Sequence, residues 1–378
     1  MRPIQMVDLL GQYNKIQKEI DQAVLDVVRS TAYINGPEVK SFQEEMEKYL
    51  DVKHVIPCAN GTDALQLTMM ALGLEPGDEV ITASFTYVAT AEVIALLKLT
   101  PVLVDVDPIT FNIDVDAVKK AITPKTKAIV PVHLFGQCAD MAPLMELAKA
   151  HKLYVIEDAA QAIGAKYTAP DGTIRSAGCM GHFGGTSFFP SKNLGCYGDG
   201  GAIFTNDDAL AKRTRMIANH GQSVRYYHDE IGVNSRLDSI QAAILRIKLR
   251  HLDSYIAARQ KAADAYDKAF AECDVLITPV RAKNSTHVFH QYTLQTKGIS
   301  RDEIVQFLTD KGIPAMIYYP VPLHLQKAYT DDRYKEGMFP VTEKLCNTVF
   351  SLPMHTELDV EQQQIIIDTV LEFASVKN

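Results

Sequence analysis

The sequence predicts an α/β protein with a mainly parallel seven-stranded sheet, covered by helices on both faces, and a smaller C-terminal α/β domain. Three observations carry this. Through the first two-thirds of the chain, seven short β-rich runs alternate with helix-like stretches, the pattern of strands joined by helical crossovers. From Ser235 that alternation gives way to one long helical pattern, and shorter strand and helix signals follow it. The 378 residues, 47% hydrophobic and 22% charged, are enough for one large domain and one small one.

In chain order the β-rich runs are HVIPCANG, DEVITASFT, TPVLVDVDP, KAIVPVHLFG, LYVIEDAA, GTSFFPSK and GGAIFTND. Asn60-Gly61-Thr62 leads from the first run into the helix-like DALQLTMMALGL. Glu75-Pro76-Gly77-Asp78 closes that helix, and Asp107-Pro108 interrupts the third run. Residues 235–272 carry apolar side chains at helical spacing without proline or glycine, which predicts a single long connecting helix. Beyond it DVLITPV, HQYTLQT and AMIYYPVPL read as strands, and SRDEIVQFLTDKG and VEQQQIIIDTVLEFA read as helices. The expected division is a large domain at residues 13–245 and a small one at 246–378. Residues 1–12 then pack on the small domain or on a partner subunit.

A net charge of −8 and the lack of a basic run argue against nucleic-acid binding. No stretch approaches the about 18 apolar residues that span a bilayer, and the N-terminus lacks a signal-peptide core, so no membrane association and a cytoplasmic location are expected. The six cysteines are scattered without metal-ligand spacing, so no metal site is expected, and reduced, mostly buried thiols are the plain expectation.

Four segments can carry chemistry. In SFFPSKNLGCYGDGGAIFTND, Lys192 lies between two strand-like runs among Ser187, Ser191, Asn193 and glycines 195, 198, 200 and 201. A lysine there must reach solvent, pair with an anion, or lose its charge by forming an imine. The glycines allow close ligand approach and positive φ, but they match neither a dinucleotide fingerprint nor a Walker loop. Taken alone, Lys192 reads as a surface lysine. LYVIEDAAQAIGA delivers Glu157 and Asp158 to the carboxyl end of a strand, where α/β sheets bind ligands, with Gln161 beyond. Asp158 suits a protonated ring nitrogen and Gln161 a ring hydroxyl; helix N-capping is the plainer role for Asp158. Gly61 and Thr62 offer free N–H groups to a phosphate, with Ser187 as a further donor, unless they form a simple capped turn. Tyr87 and Phe85 offer aromatic plates to a flat ring, though such residues are more often core.

NGTDAL, TYVAT, PVHLFGQCADM, VIEDAAQAIGA, SFFPSKNLGCYGDGGAIFTND and GVNSRLDSIQAAIL, in this order, resemble segments of the sugar aminotransferase family typified by the DegT, DnrJ, EryC and StrS proteins. The resemblance covers nearly the whole chain. It implies the aspartate aminotransferase-like fold (fold type I) and the cofactor pyridoxal 5′-phosphate, cycling through pyridoxamine phosphate. It further implies that Lys192 bonds the cofactor covalently, Asp158 pairs with its pyridine nitrogen and Gln161 with its ring oxygen. Gly61, Thr62 and Ser187 would hold the phosphate, with Tyr87 stacking on the ring. Family members are homodimers with shared active sites, and Asn234 matches the residue that reaches the partner's cofactor phosphate.

Among such enzymes the chain most resembles those that transfer an amino group from L-glutamate to UDP-2-acetamido-2-deoxy-3-oxo-glucuronate for surface polysaccharides. Arg236 matches an arginine that pairs with the sugar carboxylate; an interface ion pair is its simpler role. Tyr319 agrees with the substrate pocket of those enzymes, whereas Tyr318 stands where they have histidine. A C4 aminotransferase of a UDP- or dTDP-linked 4-keto-deoxysugar stays open, as does a non-catalytic cofactor-binding regulator. A dehydratase on this fold would carry histidine at position 192, and a nicotinamide enzyme would need the missing glycine fingerprint.

Overall fold

The computed structural model describes residues 2–377. Seven strands form the main sheet: β1 (His54–Cys58), β2 (Glu79–Ala83), β3 (Thr100–Val104), β4 (Thr126–Val130), β5 (Tyr154–Asp158), β6 (Phe183–Ser187) and β7 (Gly201–Thr205). Their order is β1-β7-β6-β5-β4-β2-β3. Every pairing is parallel except those of β7, which runs antiparallel to both β1 and β6. The seven expected strands are all present.

Alternation along each strand feeds two cores, because successive side chains point to opposite faces. Ile81, Ile129, Val155 and Phe204 join one apolar cluster with helices α2 (Pro37–Leu50) and α6 (Met141–His151). Val80, Val130, Ile156 and Ile203 join the other, with α3 (Gly61–Leu72) and α7 (Asp208–Ala218). Parallel strands buried on both faces in this way need little help from turns between them. The strand-to-helix corner after β1 is built by Asn60, whose Oδ1 accepts the Asp63 amide at 2.8 Å as an N-cap, and α3 ends at Gly73 in the left-handed conformation (φ 72°).

The long connecting helix is α8 (Ser239–Phe270), starting slightly later than the apolar pattern suggested. Leu245, Leu249, Leu252 and Ile256 pack into the main core, whereas Ala263, Tyr266 and Phe270 belong to a separate cluster with α9 (Arg301–Asp310) and α11 (Val360–Lys377). The expected division at 245/246 thus falls inside one helix that serves both cores.

The small antiparallel sheet corrects the sequence reading. It comprises β8 (Leu276–Ile277), β9 (Tyr292–Thr296) and β10 (Val349–Leu352). AMIYYPVPL supplies no strand, only a single bridge from Met316 to Ser351. Pro320 and Pro322 remove two ladder donors from it, and the place is taken by VFSL, directly after helix α10 (Pro340–Thr348). Residues near the N-terminus lie on this unit within the same chain: Arg2 donates to the Glu357 carbonyl at 2.8 Å, and Ile4 packs on its core.

One contact tests how closely β6 is packed. A Cβ on Gly184 would lie 2.0 Å from the Gly178 carbonyl oxygen, a backbone atom that cannot step aside. Gly184→Ala is expected to lower stability by at least about 1–3 kcal/mol, the usual penalty of overpacking, measured by denaturant unfolding of the apoprotein. Unchanged stability would show that the turn at Gly178 is free to move.

Candidate active site

At the carboxyl ends of β5 and β6 lies a cavity of about 690 Å³. It gathers nine of the twelve candidate residues from the sequence: Lys192, Asp158 and Gln161; Gly61, Thr62 and Ser187; Tyr87, Tyr318 and Tyr319.

Lys192 stands in the loop between β6 and β7, half-buried rather than on the surface. The loop is pinned by backbone bonds from Lys192 to Phe189 at 2.9 Å and from Cys196 to Phe188 at 2.8 Å, and by Asn193 Nδ2 donating to the Val288 carbonyl at 2.8 Å. Burial pulls the Lys192 amine down to about 8, and the carboxylate of Asp158 keeps it from falling further. A minor fraction is therefore uncharged at neutral pH, and the neutral form predominates only above about 8.

The surrounding glycines work differently from expectation. None of glycines 195, 198, 200 and 201 has positive φ. They permit chain-to-chain approach instead: a Cβ on Gly195 would sit 2.3 Å from the Pro190 oxygen, and one on Gly201 would sit 2.4 Å from Asn60.

Asp158 is 7% exposed, and no helix follows it, so it is not an N-cap. Thr90 donates its hydroxyl to Oδ2 at 2.7 Å and the Ala160 amide donates to Oδ1 at 3.1 Å, which fixes the carboxylate in the cavity. Glu157 faces away from the cavity, as strand alternation demands. It is fully buried and accepts from the amides of Gly178, Met180 and Gly181 at 2.9, 2.6 and 2.6 Å, with His133 Nε2 at 2.8 Å.

At the start of α3 the cap takes the Asp63 amide, and the amides of Gly61 and Thr62 are left without helical acceptors. Gly61 is pressed against Ser187: a Cβ there would stand 2.6 Å from the serine Cβ. Thr86 contributes a buried hydroxyl on the cavity wall with no hydrogen-bond partner.

The aromatic candidates separate. Tyr87 is 57% exposed on the cavity wall, 6.3 Å from the Tyr319 ring. Phe85 is buried among Phe111, Phe135 and Tyr319, so it is core. Gln161 accepts from the Phe135 amide at 2.7 Å and donates to the Tyr319 hydroxyl at 3.1 Å. Burial raises the Tyr319 hydroxyl above its ordinary range and leaves it a neutral donor.

Asn234 and Arg236 do not line this cavity. They flank Ser235, whose hydroxyl donates to Asp63 Oδ2 at 2.6 Å and accepts from the Ala59 amide at 3.1 Å. That bond fixes the segment at the back of α3 while Asn234 stays exposed. Sequence reasoning missed Thr90, Thr86, His290 and Gln291. Thr90 lies within the TYVAT segment, where its spacing from Tyr87 was the available signal. His290 and Gln291 open a run that reads only as a strand.

The residues fit pyridoxal phosphate. A cavity amine, a fixed carboxylate for a ring nitrogen and two free amides beside a serine for a phosphate lie around one space. The fold is that of the pyridoxal phosphate-dependent aminotransferases of fold type I. The chain belongs to the DegT/DnrJ/EryC1/StrS aminotransferase family, whose pattern matches residues 14–371. A Geobacillus stearothermophilus protein named pleiotropic regulatory protein is 48% identical over 98% of both chains. The UDP-2-acetamido-2-deoxy-3-oxo-D-glucuronate aminotransferase of Pseudomonas aeruginosa is 47% identical over 96% of this chain and 98% of its own. The solved structure of DesV from S. venezuelae superposes with a TM-score of 0.94 at 41% identity and covers 99% of both chains.

The Lys192 amine makes a direct prediction. The rate at which apoprotein bonds added pyridoxal phosphate should rise with pH through a midpoint near 8, as the amine loses its proton. In Asp158→Asn the midpoint should move lower, because the carboxylate favours the charged lysine. Stopped-flow absorbance reads both; an upward shift in the variant would reverse the assigned coupling.

Proposed function

We propose that this aminotransferase moves an amino group from L-glutamate to a nucleotide-linked keto sugar, UDP-2-acetamido-2-deoxy-3-oxo-glucuronate being the favoured substrate, for surface-polysaccharide synthesis. The observation that carries the reaction class is the pairing, in one cavity, of a partly neutral Lys192 amine with a fixed Asp158 carboxylate. The Pseudomonas aeruginosa relative supports the sugar.

When bound, the cofactor supplies the electron sink that lets the donor's α-carbon release a proton. Asp158 would hold its ring nitrogen, Gln161 its ring oxygen, Gly61, Thr62 and Ser187 its phosphate, and Tyr87 its ring face. Lys192 Nζ, in the neutral form that its lowered pKa makes accessible, takes the proton from the donor carbon and later returns one to the product. Tyr318 and Tyr319 wall the side toward the sugar, and a tyrosine at 318 can donate one hydrogen bond where a histidine would offer a ring nitrogen.

Both proposed substrates bear carboxylates, yet Lys192 is the cavity's sole lysine and no arginine lines it among the described residues. Arg236 and Asn234 would therefore act on the partner's site in a homodimer. The Geobacillus relative's name favours a second reading, a regulator that binds the cofactor without turnover; Lys192 and its fixed carboxylate argue for retained chemistry.

The test is absorbance of the holoenzyme on adding L-glutamate and then the 3-oxo-glucuronate nucleotide. Loss of the visible band with glutamate and its return with the keto sugar is expected. Loss without return points to another keto sugar, and no loss supports the regulator. Arg236→Ala should lower kcat/KM for the keto-uronate by about tenfold or more, the worth of a charge-assisted pair. An unchanged value would remove the carboxylate from the proposal.

A further inference from the structure

A hydrogen-bonded chain of Ser84, His324 and Glu343 has no part in the chemistry above. Ser84, the first residue beyond β2, is fully buried. Its Oγ accepts from the His324 backbone N–H at 3.4 Å and lies 2.8 Å from His324 Nδ1, while its carbonyl accepts the Leu323 amide at 3.0 Å. The Glu343 carboxylate, held below its ordinary range, only accepts, so Nε2 carries the proton and donates to Oε1 at 3.0 Å. That leaves Nδ1 to accept the Ser84 hydroxyl proton. Glu343 also accepts the amides of Gly337 at 2.9 Å and Phe339 at 3.3 Å.

Serine, imidazole and carboxylate in this order match a hydrolytic triad, but Ser84 has no exposed surface and the Leu323–His324 backbone covers it. No scissile carbonyl reaches the hydroxyl. What the chain does is join two walls of the active-site cavity. Ser84 begins the turn that leads to Tyr87, and His324 ends the irregular stretch that carries Tyr318 and Tyr319. A second tie lies alongside it. Asp105, just beyond β3, accepts from the amides of Val341 and Thr342 at 3.0 and 2.8 Å, and the Leu103 amide donates to the Tyr334 hydroxyl at 2.8 Å. The stretch from Leu323 to Thr342 is thereby stitched to the ends of β2 and β3. Without these bonds Tyr318 and Tyr319 would rest on a proline-broken segment that has only one sheet bridge.

We propose that Ser84, His324 and Glu343 are positioning residues, a latch that sets the Tyr318–Tyr319 wall against Tyr87 and so tunes the fit of the keto sugar, without acting in the amino-donor half of the reaction. The inference rests on the reading that this wall faces the sugar.

Three holoenzyme variants test it: Ser84→Ala, Glu343→Ala and Glu343→Gln, the last keeping an acceptor oxygen for His324. Amide hydrogen exchange in residues 318–326 reads the latch directly. KM for the keto sugar and the single-turnover rate with glutamate read its consequence. Both alanine variants should exchange faster in 318–326 and show KM raised about tenfold, as expected when binding groups lose their placement. The glutamate rate should stay within about twofold of wild type, and Glu343→Gln should recover most of the loss. Unchanged exchange, or a glutamate rate that falls as far as the sugar half, would overturn the latch. A wild-type enzyme that accepts no keto sugar would instead remove the functional reading, and the exchange measurement would still decide whether the latch holds the wall.

Discussion

The active site depends on the burial of one carboxylate that never touches it. Glu157 precedes Asp158 at the end of β5, and strand alternation drives its side chain into the protein as surely as it turns Asp158 into the cavity. A buried carboxylate without partners would cost several kcal/mol. Glu157 meets that cost with three backbone amides and His133 Nε2. His133 in turn accepts the Ala139 amide on Nδ1 at 3.1 Å, so its proton sits on Nε2 and points at the carboxylate. The bonds to Gly178, Met180 and Gly181 fix the turn that enters β6, and the bond to His133 fixes the exit from β4. Both neighbours of β5 are thus set in register by a residue on its hidden face, and Asp158 inherits that rigidity.

The same constraint explains what could be read from the sequence. Strands of the main sheet were legible because each is a short apolar run between turn signals. The cavity residues were legible because the chemistry falls at the carboxyl ends of those runs. Which of two neighbouring polar or aromatic residues faces the ligand was harder to read. Tyr87 and Phe85 look alike in a string of letters, and only packing shows that Phe85 fills an aromatic core behind the wall. The glycines after Lys192 suggested unusual backbone angles, whereas their use is the close approach of Pro190 and Asn60, a tertiary fact. In the small sheet, AMIYYPVPL outweighed VFSL in apolar length, yet its prolines keep it out of the ladder.

Thr90 and His290 mark another limit. Thr90 matters because a helix that starts after Tyr87 brings its hydroxyl to Asp158, a tertiary contact that its spacing from Tyr87 hints at without naming the partner. His290 is buried at the cavity, and burial together with Lys192 and Arg259 holds its imidazole well below the ordinary histidine range, so it is neutral there. A neutral imidazole adds no charge to a site whose amine must itself stay partly uncharged. Sequence alone gives neither the burial nor the neighbours that produce this.

Charge balance then sets what the cavity can hold by itself. The cavity wall carries Asp63, Asp158 and Asp199 against the single amine of Lys192. Asp63 is bonded to Ser235 and Asp158 to Thr90, so both carboxylates are held in the wall and their negative charge stays there. A phosphate can still bind through the amides at the head of α3, because backbone N–H groups and the helix dipole need no cationic side chain. A carboxylate is different. In a half-open cavity with excess negative charge, an amino-acid donor or a sugar acid needs a guanidinium or ammonium at its far end. Arg236 and Asn234 flank Ser235, which is bonded to Asp63, and neither lines the chain's own cavity. In the reading proposed above, they would supply that charge from the partner's side.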